Sequence, residues 1–127
     1  MNEWSDAEQR IERAQQYFEL RRWAEALAEL DAAIEINPNQ ASWHANRGAI
    51  LDQLQRFDEA VDAYRQSVEL DPEDREVRSA LGIDLVRTAR NDEALDVFEE
   101  LARRAPDYEP AYCHRVAVYG RMGQHEK

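Results

Sequence analysis

Apolar residues recur along the whole chain at intervals of three and four residues, which is the spacing of one face of a helix. No stretch alternates apolar with polar residues in the manner of a half-buried strand. Prolines and short polar turns divide the pattern into seven segments. The predicted helices cover about Ser5–Leu20, Trp23–Ile36, Ala41–Leu54, Asp58–Leu70, Arg75–Thr88, Asp92–Arg104 and Pro110–Met122. The pattern therefore predicts an all-α protein.

The ends of these helices have local causes in the sequence. Ser5 and Glu8 form a capping box, in which the two side chains satisfy backbone N–H groups of the first turn. Pro38 and Pro72 end the second and fourth helices, because proline cannot continue a helix and disfavours helical geometry in the residue before it. Pro110 opens the seventh helix, where its missing N–H does no harm.

Three prolines, Pro38, Pro72 and Pro106, lie 34 residues apart and mark an internal repeat. Small and large residues recur at the same interval, in the sets Ala14, Gly48 and Gly82; Ala26, Ala60 and Ala94; and Tyr17, Leu51 and Leu85. Because two short helices cannot bury their own apolar face, such a period predicts helix pairs stacked in an array. The small residues are expected where the two helices of a pair cross closely.

Over nearly the whole chain, from about Ala7 to Lys127, this pattern resembles the tetratricopeptide repeat family. The resemblance implies a single domain over residues 1–127, built as a right-handed α-solenoid of antiparallel helix pairs. Its units cover about 7–40, 41–74 and 75–108, with a partial fourth unit, essentially one C-terminal helix, at 109–127. We expect that this last unit is cut short.

The sequence departs from the family pattern at several positions, one of which recurs near the start of the first helix of each unit. A large aromatic residue often stands near the start of the first helix of each unit. Arg10, His44 and Arg78 take that position here, and only Tyr112 resembles the family residue.

In this family the first helix of each unit lines the concave wall, so the resemblance implies a groove for a peptide or protein ligand along these helices. The implied wall residues are Ile11, Gln15, Phe18, Glu19, Asn46, Ala49, Ile83, Val86, Arg87, His114 and Arg121. Short side chains leave room for a guest backbone, and the Asn46 amide offers both a donor and an acceptor for a peptide unit.

One variant of the family clamps the C-terminal carboxylate of heat-shock chaperones with lysine, asparagine and arginine side chains. Of those positions only Asn46 agrees here. Ile11, Gln15, Glu76 and Ala80 stand where the other clamp residues are needed, and Glu76 would repel the carboxylate. The sequence therefore excludes that co-chaperone function.

Charges along the implied wall are graded from one end to the other. Glu8, Glu12 and Glu19 make the N-terminal end acidic, whereas Arg87 and Arg121 make the C-terminal end basic. Two interpretations stay open at this point. The gradient reflects a ligand preference, or it consists of solvated helix faces, since exposed charges carry little energy by themselves.

Composition narrows the classes of partner and the compartment. The formal net charge of −11 argues against a nucleic-acid partner, which needs a basic face. No apolar stretch approaches the roughly 20 residues of a membrane span, and the N-terminus has no secretory pattern, so no membrane partner is expected. The single cysteine, Cys113, excludes an internal disulfide framework and fits a reducing compartment, so we expect a cytoplasmic protein.

Candidate chemistry is sparse, and the sequence predicts neither an enzyme nor a cofactor or metal. Cys113 and His114 are neighbours, so on a helix their side chains diverge by about 100° and form no nucleophile–base pair. Zinc needs about four suitably spaced ligands, and only one cysteine is present.

The leading hypothesis is a protein–protein interaction scaffold. The first alternative is a self-assembling element that forms a homodimer through the last helix, at Val116, Val118 and Tyr119. Others are a fragment of a larger repeat protein and a chaperone for secreted proteins. The sequence does not identify the partner, the biological process or the oligomeric state.

Overall fold

The computed structural model describes residues 3–123, and within that range it contains seven α-helices and no strand. The helices are α1 (Glu3–Glu19), α2 (Trp23–Ile36), α3 (Ala41–Gln53), α4 (Phe57–Leu70), α5 (Arg75–Arg87), α6 (Asn91–Arg104) and α7 (Glu109–Arg121). Every predicted helix is present, and the predicted ends differ from the observed ones by at most two residues. None of these helices is long and apolar enough to cross a bilayer.

The predicted start of the first helix is wrong. Helix α1 begins at Glu3, so Ser5 lies inside the helix and cannot cap its first turn. The physical reason is that neither Glu3 nor Trp4 interrupts a helix, and an acidic residue is favourable in a first turn.

The chain divides into two compact parts, with the boundary between Asp71 and Pro72. Each part is larger than one 34-residue repeat, and the two are called the first unit and the second unit from here on. The first unit contains α1–α4, and the second contains α5–α7. In the first, α1 packs on α2, α2 on α3 and α3 on α4; in the second, α5 and α7 both pack on α6.

In the first unit, the close crossing predicted at Gly48 is confirmed. A Cβ atom at Gly48 would lie 2.6 Å from Cε1 of Tyr64, so the ring of Tyr64 occupies the space that a side chain would need. The Tyr64 hydroxyl donates a hydrogen bond to Oδ2 of Asp52 at 2.9 Å, which holds the ring in place.

The second unit repeats this contact with a different aromatic residue. A Cβ atom at Gly82 would lie 2.7 Å from Cε1 of Phe98, whose side chain is completely buried. In α1 the small residue is Ala14, and the residue 34 positions before Tyr64 is Leu30, which is narrower than an aromatic ring. The repeat therefore pairs glycine with an aromatic residue and alanine with leucine.

The turn within each helix pair contains a residue in the left-handed conformation. Arg21, Gln55 and Ala89 have φ values of 60°, 59° and 62° and lie 34 residues apart. At the first turn, Arg22 N–H donates to the Tyr17 carbonyl and Arg21 N–H to the Phe18 carbonyl, and the other two turns repeat both bonds. This is the Schellman arrangement, in which glycine is the usual left-handed residue. The sequence pattern did not reveal it, because no glycine marks these positions.

The loops between pairs are held by one recurring hydrogen bond from a side chain to the carbonyl of the repeat proline. Nε2 of His44 donates to the Pro38 carbonyl at 2.8 Å, and Nε of Arg78 donates to the Pro72 carbonyl at 2.7 Å. The Tyr112 hydroxyl donates to the Pro106 carbonyl at 3.0 Å. Because a carbonyl only accepts, Nε2 of His44 carries the proton. His44 and Arg78, which depart from the family pattern, thus perform the same structural task as Tyr112, which matches it.

Candidate functional site

The implied wall residues lie on first helices in both units, as the register predicts. In the first unit they lie on α1 and α3, and in the second on α5 and α7. Each set is described within its own unit.

A pocket of about 210 Å³ opens between α1, α2 and α3 in the first unit. It is lined by Ile11, Ala14, Gln15, Phe18, Leu30, Asn46 and Ile50. Four of the implied wall residues, Ile11, Gln15, Phe18 and Asn46, therefore meet at one cavity. Glu19 and Ala49 do not line it; Glu19 is exposed and Ala49 is half-buried.

The floor of this pocket is apolar and its rim is polar. Leu30 and Ile50 are buried and form the floor, whereas Gln15 and Asn46 carry exposed amides at the rim. The Phe18 ring lies edge-on to the Trp23 ring, with a centroid separation of 5.0 Å, which restricts its movement. The arrangement can accept an apolar side chain below and hydrogen-bond a peptide backbone above.

The size of the pocket limits what it can hold. Pockets for drug-sized molecules measure roughly 300–1,000 Å³. The present volume of about 210 Å³ is smaller and suits one side chain better than a whole cofactor.

The wall residues of the second unit are arranged differently. Ile83 and Val86 are half-buried on α5, and Arg121 is exposed at the end of α7. The His114 ring stacks on the buried Phe98 ring at 5.0 Å, so its face is occupied by the protein core.

Asp84 is a polar residue of this unit that the sequence analysis missed. Its side chain is completely buried, and Oδ1 accepts a hydrogen bond from Nη1 of Arg87 at 3.1 Å. The repeat register could have indicated that Asp84 is buried. It lies 34 residues after Ile50 and 34 before Val118, which are both buried and apolar. Part of the positive charge implied at Arg87 is therefore neutralised inside the chain.

The acidic end of the gradient consists of exposed side chains. Glu8, Glu12 and Glu19 are all exposed on α1. This exposure fits either of the two interpretations of the gradient.

The apolar face predicted for the last helix differs in part from the observed one. Val118 is buried and Tyr119 is half-buried, so the expectation that Val116, Val118 and Tyr119 are all uncovered is wrong for Val118. The side chain of Val118 turns toward the core of the second unit, as Ile50 does in the first. Val116 is 68% exposed and remains available on the surface.

The candidate reactive residues have different surroundings. His44 bonds the Pro38 carbonyl, His114 stacks on Phe98, and Cys113 is an exposed thiol. Among residues 3–123 no group of three or more His, Cys, Asp or Glu side chains could hold a metal ion.

Sequence comparison gives two overlapping matches. Two family profiles, both described as Tetratricopeptide repeat, match residues 2–75 and residues 51–114. A search of curated proteins finds no match to the sequence.

Structural comparison gives matches over nearly the whole chain. The Arabidopsis OM64 TPR domain is 18% identical with a TM-score of 0.82, and the alignment covers 94% of this chain and 99% of that one. The structure described as MamA MSR-1 C2 is 26% identical with a TM-score of 0.86, covering 95% and 70%. The second TPR domain of human RPAP3, in complex with the HSP70 peptide SGPTIEEVD, is 19% identical with a TM-score of 0.82, covering 92% and 98%. These likenesses confirm the predicted fold class, an all-α solenoid of helix pairs.

Proposed function

Because the chain belongs to the tetratricopeptide repeat family, we propose that it is a protein–protein interaction scaffold that binds a peptide segment of a partner along its first helices. The pocket between α1, α2 and α3 is the anchor point of this proposal. The observation that carries it is the convergence of Ile11, Gln15, Phe18 and Asn46 on one cavity with a buried apolar floor.

In the proposed complex an apolar side chain of the peptide fills the space above Leu30 and Ile50. The amides of Gln15 and Asn46 then bond the N–H and C=O groups of the peptide backbone on either side of that residue. Since main-chain bonds give affinity and a side-chain pocket gives selectivity, the partner is a segment with an apolar anchor residue.

The human RPAP3 domain supports a peptide as the ligand of this architecture, because that protein holds an HSP70 peptide. The ligand proposed here is a different one. Ile11 stands where a carboxylate clamp needs a lysine, Gln15 stands where it needs an asparagine, and Glu76 carries the wrong charge for it.

A library of displayed random peptides, selected on the wild-type protein, tests the proposal. The affinity of the selected peptide for each variant is then measured by titration calorimetry. We expect Asn46→Ala to weaken binding by about 1–3 kcal/mol, because a peptide backbone group is left unpaired.

Gln15 and Gln16 provide a matched pair for this experiment. They are neighbours of the same type, and only Gln15 lines the pocket. We expect Gln15→Ala to weaken binding and Gln16→Ala to leave it unchanged. Equal affinity in Gln15→Ala, Asn46→Ala and wild type would place the ligand elsewhere and refute the proposed site.

The self-assembly alternative retains one supporting observation. Val116 on α7 is 68% exposed and Tyr112, one turn earlier, is also exposed. Two exposed apolar side chains on one helix face can pack against a second copy of the chain. It would form a homodimer through the C-terminal helix.

We propose no catalytic activity and keep the cytoplasm as the proposed location. Non-catalytic scaffolding is general among repeat proteins of this kind. The exposed Cys113 thiol is in keeping with a reducing compartment.

A further inference from the structure

The second unit contains an arginine pocket of about 320 Å³, separate from the implied wall. It is lined by Pro72, Glu73, Arg75, Arg78, Leu101, Arg104 and Ala105, none of which is a wall residue. The pocket lies where the loop before α5 and the first turn of that helix meet the end of α6. Three guanidinium groups at one opening are unusual in a chain with a net charge of −11.

Each of the three arginines is held in position by a contact of its own. Nε of Arg78 donates to the Pro72 carbonyl at 2.7 Å, and Nε of Arg104 donates to Oε2 of Glu100 at 2.8 Å. The guanidinium of Arg75 lies over the Tyr108 ring, 5.2 Å from its centroid. Because these groups are already ordered, less conformational freedom is lost when they bind a ligand.

The charges in the pocket are not balanced. Burial lowers the pKa of Arg78, the positive charge of Arg104 lowers it further, and Glu73 acts in the opposite direction. Arg104 contacts the carboxylates of Glu73 and Glu100, and Nε of Arg75 lies 3.8 Å from that of Glu76. The half-buried Arg78 guanidinium bonds the Pro72 carbonyl instead, so its positive charge has no carboxylate of residues 3–123 in direct contact. An additional anion would relieve this repulsion.

Glu73 already shows how an anion fits. Its Oε1 accepts a hydrogen bond from Nη1 of Arg104 at 3.1 Å, although the Glu73 side chain is 82% exposed. An exposed ion pair contributes little free energy, so an incoming carboxylate can displace it at small cost.

We propose that this arginine pocket binds a carboxylate of an acidic segment on a protein partner, and that Glu73 is its internal competitor. The planar guanidinium groups match a carboxylate in bidentate geometry. The Glu73 carboxylate already accepts from Nη1 of Arg104, so a carboxylate from a partner can take the same donor. The site does not depend on the groove of the first unit and adds a second point of recognition.

Arginine side-chain NMR tests this proposal directly. The Arg78 Nε–Hε group is protected by its bond to Pro72 and provides a resolved reporter. The probe is the blocked peptide acetyl-Glu-Glu-Glu-Glu-amide, compared with sodium chloride at equal ionic strength and with inorganic phosphate. We expect a saturable shift of the Arg78 signal with the peptide and none with chloride.

Variants at Glu73 and Arg104 supply the quantitative test. Glu73→Gln should tighten peptide binding about two- to fivefold, because the ion pair that competes with the peptide is lost. Glu99→Gln is the control: it makes the same charge change on an exposed residue of α6 and should change the affinity less than about twofold. Arg104→Gln should weaken binding about tenfold or more, and Arg103→Gln, one residue earlier and outside the pocket, should not. Circular dichroism confirms that each variant is folded.

Three results would overturn the proposal. They are an equal shift with chloride, a shift with phosphate but not with the peptide, and a Glu73→Gln affinity no higher than that of Glu99→Gln.

Discussion

At the scale of single residues, the repeat works by matching small residues to large ones across each helix crossing. Gly82 faces the Phe98 ring and Gly48 faces the Tyr64 ring, at distances that leave no room for a methyl group. Both glycines are helical and have negative φ, so a left-handed conformation is not the reason for glycine here. Glycine is required because the aromatic ring of the partner helix approaches too closely for a side chain. Glycine elsewhere in a helix only lowers stability.

Gly82→Ala tests this match. We expect it to destabilise the protein by about 1–3 kcal/mol through overpacking against Phe98, although alanine is the better helix former. Gly120→Ala is the control: Gly120 is exposed on α7 with open space around it, so this change should stabilise the protein by about 0.5–1 kcal/mol. Guanidinium unfolding followed by circular dichroism gives both values.

A double variant identifies the partner ring. Adding Phe98→Leu to Gly82→Ala copies the Ala14–Leu30 pair of the first unit. In the Phe98→Leu background, Gly82→Ala should cost little, because the shorter side chain leaves room for the methyl group. A cost as large as in the wild type would mean that Phe98 is not the obstacle.

At the scale of elements, the two helices of each pair are joined by turns of the same geometry in which the left-handed residue differs. The left-handed residue is arginine, glutamine or alanine at the three intra-pair turns, and glycine, Gly123, occurs only after α7. A left-handed conformation costs an L residue roughly 1–2 kcal/mol. The packing of each helix pair imposes this conformation, because the turn must return the chain antiparallel within three residues.

Ala89→Gly removes that cost at one turn. We expect a gain of about 1 kcal/mol in the free energy of unfolding, since glycine adopts positive φ without strain. Ala28→Gly is the same chemical change at an exposed position inside α2, and it should lower stability by about 1 kcal/mol. Thermal or denaturant unfolding should therefore show that the two substitutions change the free energy of unfolding in opposite directions. An equal loss of stability at both positions would contradict the left-handed conformation of Ala89.

At the scale of the whole molecule, charge is distributed unevenly along the chain. Residues 72–127 contain nine of the sixteen basic residues but only twelve of the twenty-seven acidic ones. The arginine pocket lies in this less acidic part, and the apolar pocket lies in the more acidic part. Partners with an acidic segment are therefore expected to contact the second unit, where repulsion is weaker.

Sedimentation equilibrium decides whether the chain associates with itself. If α7 forms the dimer, wild type should associate at high micromolar concentration, and Val116→Asp should restore a monomer because a charge is buried at the contact. Leu20→Asp is a matched control, since Leu20 is 66% exposed but lies at the end of α1. A wild-type monomer throughout this range removes the self-assembly alternative.

The sequence by itself determined the helices, their order and the family. Helix ends depend on neighbours within a few residues, so Pro38 and Pro72 mark them in the one-dimensional pattern. The close crossings at Gly48 and Gly82 also follow from the repeat, because the 34-residue period carries packing positions from one repeat to the next, whereas the aromatic partner of each glycine was not predicted. At Ser5 the local signal was misleading, since the helix continues through it to Glu3.

Only the tertiary structure decided which side chains meet. Ile11 and Asn46 lie 35 residues apart and converge on a pocket, whereas Glu19, assigned to the same wall, does not. The three arginines at the second pocket come from two helices, and the register gives no reason to group them. A periodic pattern assigns each residue to a face, but the distance between two faces depends on the packed volumes between them. The sites therefore emerge only when the core is assembled.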